Sequence, residues 1–157
     1  MRNDRVLLAP PGFPVQTERR LLAAALVLAF GFHLGFFVRY SAARRSLFRV
    51  SGGQKWLIPG AQMPAFDALL GPALVGFAVA ALAMAALALW HWRYYYQGSR
   101  SIDLMRRLPR RWMLPLSILG LPLLEAALCL AAGALLLGAD WLVYYGWTPA
   151  ACLPPVG

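Results

Sequence analysis

Two ionisable side chains, His33 and Glu125, fall inside long apolar stretches. A charge near the centre of a bilayer costs about 2.5–3.5 kcal/mol on insertion scales, so such groups face protein or water and mark sites. His33 lies 13 residues past Arg20, and Glu125 lies 14 past Arg111. At about 1.5 Å per residue both sit roughly 20 Å from the same boundary. They can meet, and a His33–Glu125 hydrogen bond is the expected intramembrane polar pair. Two alternatives stay open: a protonated Glu125 that donates to a backbone carbonyl loosened by Pro122, or a Glu125 that meets another subunit. Cys129 follows Glu125 by four residues on the same face, but one Glu, one Cys and one His do not have the spacing of a metal site. No metal and no cofactor are expected. His91, Asp103 and Cys152 also carry chemistry, yet they are scattered over both sides of the membrane. No nucleophile with its base, no paired carboxylates and no phosphate-cradling glycine loop occurs, so no catalytic residue is assigned and the chain is read as a non-enzyme.

The elements that hold these residues follow from composition. The chain has 157 residues, of which 61% are hydrophobic and only 13% charged, with a mean hydropathy of +0.59. Soluble domains are about half apolar and a quarter charged, which excludes a soluble enzyme core and a disordered chain. Crossing a hydrocarbon layer about 30 Å thick takes roughly 20 apolar residues. Three stretches qualify, about residues 20–40, 68–92 and 114–140, and the third can continue to Tyr145. The expectation is one all-α integral membrane domain over residues 1–157, with three transmembrane helices. The first stretch is too long, and too far from the N-terminus, for an ordinary cleaved signal. Thr17 is the expected cap of the first helix, Asp67 of the second. Residues 39–67 read as a connector, and the proline-containing tail as extended.

Charge sets the expected orientation. There are 15 basic residues against 6 acidic ones. In a soluble protein that balance points to nucleic acid; between apolar blocks it points to membrane topology, and no nucleic-acid partner is expected. Four basic residues precede the first span and six lie in the loop 93–113, making ten on one side. The other side has five (Arg39, Arg44, Arg45, Arg49 and Lys55) and none in the tail 141–157. Because Lys and Arg stay cytoplasmic, the N-terminus and loop 93–113 are placed inside and the C-terminus outside. Aromatic belts flank the spans, with Trp90, Trp92, Tyr94, Tyr95, Tyr96 and Trp112 at one interface and Trp141, Tyr144, Tyr145 and Trp147 at the other. Gly31 and Gly35 on the first span, and Gly76 and Ala80 on the second, form small-residue ridges that let helices approach closely. Three spans bury little surface among themselves, so a homo- or hetero-oligomer within the bilayer is expected.

The loop 93–113 carries the remaining signal. Ser101 is a good N-cap, Asp103 falls in the first turn, and Pro109 ends the helix. Asp103 and Arg107 are spaced i,i+4, and Ile102, Met105 and Leu108 line one stripe with Arg106 and Arg107 off it. Such a short amphipathic cytosolic helix needs a surface to be stable. The anionic leaflet, a soluble partner, or a purely topological role for the arginines all fit. The run Leu104, Met105, Arg106, Arg107, Leu108, Pro109, Arg110 and Arg111, placed between a second and a third span, resembles the cytosolic loop of ATP-binding-cassette (ABC) exporter permeases. That resemblance implies a non-catalytic transporter subunit, with residues 102–107 contacting a separate ATPase. Such permeases usually have six spans, and this chain has three. The alternative is an accessory or scaffolding membrane protein without a transport role.

Overall fold

The computed structural model describes residues 8–96, 106, 108 and 113–154. Three of its helices are long and apolar enough to cross a membrane: Val15–Ser46 (α1), Val75–Tyr95 (α3) and Met113–Trp147 (α4). A five-residue helix, Phe66–Leu70 (α2), precedes α3, and a single 3₁₀ turn, Ala150–Cys152, follows α4. The 21 residues of α3 span about 32 Å, close to the hydrocarbon thickness. α1 and α4, with 32 and 35 residues, are about 48 and 52 Å long and must project beyond it. α3 lies between the other two and packs most extensively on α4. Side chains such as Val27, Leu28, Leu82 and Leu135 are two-thirds or more exposed, the outward apolar surface that lipid requires.

The helix starts differ from expectation for local reasons. α1 begins at Val15, directly after Pro14, and no side chain caps it, so Thr17 is inside the helix. The second span does not run unbroken from residue 68. Gly71 has φ +45° and Pro72 follows; proline disfavours α conformation in the residue before it, so the chain turns here. Asp67 consequently sits in α2, where its carbonyl accepts from Gly71 N at 2.9 Å, and does not cap α3. Residues 39–67 contain a two-stranded antiparallel hairpin that the composition did not announce. Phe48–Ser51 (β1) pairs with Gln54–Leu57 (β2) around Gly52 and Gly53, both at positive φ. A Gly-Gly pair is a strong two-residue hairpin turn.

Two cores result. At the hairpin end, where α1 and α4 project, Phe36, Tyr40, Leu47, Met63, Tyr144 and Cys152 are buried together. Tyr144 donates to the Pro64 carbonyl at 2.8 Å, and Met63 N to the Cys152 carbonyl at 2.8 Å. The tail is thus folded back into this core instead of extended. In mid-bundle, Ala80, Ala81, Met84, Ala126 and Cys129 form a small-residue core. On the second span Gly76 packs closely on α1: a Cβ there would lie 2.9 Å from Ala29 Cα. Gly31 has nothing within 4 Å and Gly35 only its own helix's Arg39, so that ridge faces outward. Of the belt aromatics, Tyr95 and Tyr144 are fully buried and hydrogen-bonded within the fold, while Trp92, Tyr96, Trp141 and Trp147 are half exposed or more. The amphipathic helix expected in the loop, with Ile102, Asp103, Met105 and Arg107, lies outside the described residues.

Candidate functional site

The end of the bundle where residues 97–112 join α3 to α4 is built around a proline. Pro122 sits inside α4 and has no N–H, so the carbonyl four residues back, on Ile118, loses its helical donor. His91 of α3 supplies one: its Nδ1 lies 3.1 Å from the Ile118 oxygen. A carbonyl only accepts, so Nδ1 carries a proton. The other ring nitrogen, Nε2, lies 2.9 Å from Glu18 Oε2 of α1, and both side chains are fully buried. One further proton must therefore lie between Glu18 and His91, whether as carboxylate with imidazolium or as carboxylic acid with imidazole. Either form is neutral as a pair, the arrangement that a low-dielectric site tolerates. Glu18 Oε1 has no hydrogen-bond partner among the described residues.

Neighbouring contacts close the site. Phe13 stands edge-on to His91, with centroids 4.3 Å apart, and also touches Trp90 and Tyr94. The segment at Leu8 meets α4 beside Pro122: Leu121 N donates to the Leu8 carbonyl at 2.9 Å. Gly120 makes that approach possible, since a Cβ there would be 2.9 Å from Leu8 Cδ2. One turn beyond His91, Tyr95 and Ser117 share a 2.7 Å hydrogen bond. The last turn of α3 and the first turns of α4, which flank residues 97–112, are thus clamped by His91–Ile118 and Tyr95–Ser117 and braced by Glu18 of α1.

A second polar pair lies deeper. His33 Nε2 is 3.5 Å from Asp140 Oδ1, with both side chains buried. The contact is an ion-pair approach without hydrogen-bond alignment: both ring nitrogens and both carboxylate oxygens lack a hydrogen-bond partner among the described residues. Phe36, Phe37 and Phe77 surround the imidazole. On α3, Phe77 is 14 residues from His91, so the two pairs are separated by about 21 Å. Glu125 lies between them. It is seven residues past Ile118 and eight before Gly133, which packs on Phe77. Glu125 is buried, its Oε2 has no hydrogen-bond partner among the described residues, and it lies within electrostatic reach of Glu18 and Arg19.

The sequence-derived pair therefore does not form. His33 meets Asp140, not Glu125, because α4 continues to Trp147 and carries Asp140 well inside the helix. The carbonyl loosened by Pro122 does find a side-chain donor, but the donor is His91. His33 faces inward and Gly31 outward, as the 200° between them requires. Glu18 and Asp140 were missed. The first stands among Arg19 and Arg20 and reads as a solvated helix start; the second stands at the estimated edge of a span. Pro122 was the available signal for the first site, since a proline inside a span demands a donor from elsewhere. Among the described residues no cluster of three metal-ligating side chains occurs. No family model, curated protein or solved structure matches this chain.

Proposed function

We propose that this chain is a non-catalytic integral membrane subunit of a transporter, of ABC-exporter kind, that docks a separate ATPase through residues 99–111. The observation that carries the reading is the clamp at the base of that loop. A docking element transmits force only if its stems are fixed relative to the bundle. Here two hydrogen bonds, one buried and one part-buried, and a buried Glu–His pair hold the stems together and to α1. The loop's own residues supply the rest of the support, through the resemblance of Leu104 to Arg111 to exporter coupling loops. The charge count favours a cell membrane location, the bacterial inner membrane by that resemblance, with the N-terminus and loop cytoplasmic and the C-terminus extracytoplasmic. The outward Gly31/Gly35 ridge suits a neighbouring membrane subunit.

The test is co-purification of the membrane-extracted chain with an ATPase, read as ATP hydrolysis in the eluate. The double change Met105→Asp, Leu108→Asp places two charges on the docking stripe and is expected to abolish that activity while leaving the bundle folded. Retention of the ATPase by this variant would defeat the docking reading. A second reading, ion-coupled movement through the bundle, is favoured by one observation: buried protonatable groups occupy three levels, Glu18/His91, Glu125 and His33/Asp140. Transport that is lost in Glu125→Gln but survives the loop changes would select it.

A further inference from the structure

The hairpin end holds a cavity of about 1010 Å³, at the upper limit of ordinary ligand pockets. One face of α1 forms its floor. Leu34, Phe37 and Val38 line it first, then Ser41, then Arg44 and Arg45. These positions follow the i, i+3, i+4, i+7 stripe, so a single helix face changes from apolar to cationic over about 16 Å. The hairpin forms one wall. Its register pairs Val50 with Lys55, which puts both on the face with Phe48, and all three line the cavity. Trp147, at the end of α4, forms the other wall. Arg49 belongs to the opposite face of the hairpin and is not in the lining.

Among the described residues, none of Arg44, Arg45 and Lys55 pairs with a carboxylate, and no acidic side chain lines the cavity. Three cations thus line the same cavity as the apolar helix face. This apolar trough starts on the lipid-facing part of a membrane-spanning helix, where Val38 is 66% exposed. We infer that this cavity binds one anionic phospholipid, with its phosphate held by Arg44, Arg45 and Lys55 and an acyl chain laid along Leu34, Phe37 and Val38. A water-soluble phosphate would leave the apolar half unused, and a zwitterionic lipid would bring a choline cation toward the three basic groups. Basic pockets beside membrane helices hold acidic headgroups for the same reason. The site also gives work to charges that oppose the topology count. Three of the five basic residues in the connector line this cavity, and a fourth, Arg39, donates to the Leu70 and Gly35 carbonyls.

Native mass spectrometry of the full chain from detergent tests this, with phosphatidylglycerol and phosphatidylcholine added in turn. The expected result is one retained phosphatidylglycerol and at least tenfold weaker retention of phosphatidylcholine, unaffected by millimolar inorganic phosphate. Neutralising Arg44, Arg45 or Lys55 to Gln should each weaken binding about fivefold, the contribution of one basic side chain beside an anionic headgroup. Arg49→Gln removes the same charge from the other face of the hairpin and should leave binding unchanged. Val38→Trp, which fills the trough without altering charge, should also abolish retention. Equal retention of the two lipids by the wild-type chain, displacement by inorganic phosphate, or an Arg49→Gln effect as large as that of Lys55→Gln would overturn the assignment.

Discussion

Replacing His91 by Ala is the most informative perturbation of the loop clamp. It removes the partner of Glu18 Oε2, and Oε1 has none among the described residues. It also strips the donor from the Ile118 carbonyl, which Pro122 prevents the helix from satisfying. An ordinary hydrogen bond between membrane helices contributes only about 0.6 kcal/mol on average. Leaving an ionisable group buried and unpaired is a different cost, about 3–5 kcal/mol when one member of a buried pair is removed. The larger figure governs here, because the pair is fully buried. Glu18→Gln is the matched control. A Gln amide can donate to neutral His91 Nε2 while Nδ1 keeps its bond to Ile118, so the cost should be below about 1 kcal/mol. The assay is reversible unfolding in mixed micelles by a denaturing detergent, for His91→Ala, Glu18→Gln, and the cycle of Glu18→Leu, His91→Leu and their double variant. The double variant should be less destabilised than the sum of its singles by at least about 2 kcal/mol. A His91→Ala cost within about 1 kcal/mol of wild type, or strict additivity in the cycle, would refute the shared-proton clamp.

Three further outcomes follow from buried charge and close packing. His33→Phe suits the box of Phe36, Phe37 and Phe77 but orphans Asp140, and should destabilise by about 3–5 kcal/mol; adding Asp140→Leu should recover most of that loss in the same unfolding assay. Gly76→Ala forces a Cβ against Ala29 Cα and should cost about 1–3 kcal/mol, whereas Gly31→Ala meets open space and should stabilise the isolated chain by up to about 1 kcal/mol. If the Gly31 ridge holds a neighbouring subunit, Gly31→Leu should lower the oligomer fraction in cross-linking without lowering monomer stability.

The spans were legible because lipid demands apolarity on all sides, and that demand writes itself into composition. Their ends were not, because helix ends depend on single residues: Gly71 with Pro72 delays α3, and α4 runs past residue 140 to Trp147. The hairpin had its signal in Gly52 and Gly53, between strands with alternating Phe48 and Val50, but lay in a stretch whose charge suggested only a connector. The Glu18–His91 pair joins positions 73 apart, and each alone reads as an interfacial residue. Only the packing of α1, α3 and α4 shows that they share a site. Gly76 lies against Ala29 and Ala80 is buried in the mid-bundle core, positions that a small side chain fits without a specific partner. Cys152 illustrates the converse: a cysteine in a proline-containing tail reads as accessible, yet it is buried and its backbone holds Met63.

Cys152 is therefore a poor reporter of topology, and the exposed hairpin turn is a better one. In a variant without native cysteines, Gln54→Cys and Ser101→Cys mark the two ends of the bundle. With an impermeant thiol reagent on intact cells, labelling of Cys at position 54 alone, and of position 101 only after permeabilisation, is the predicted result for a three-span protein with its loop inside. The reverse pattern, or equal labelling of both without permeabilisation, would contradict it.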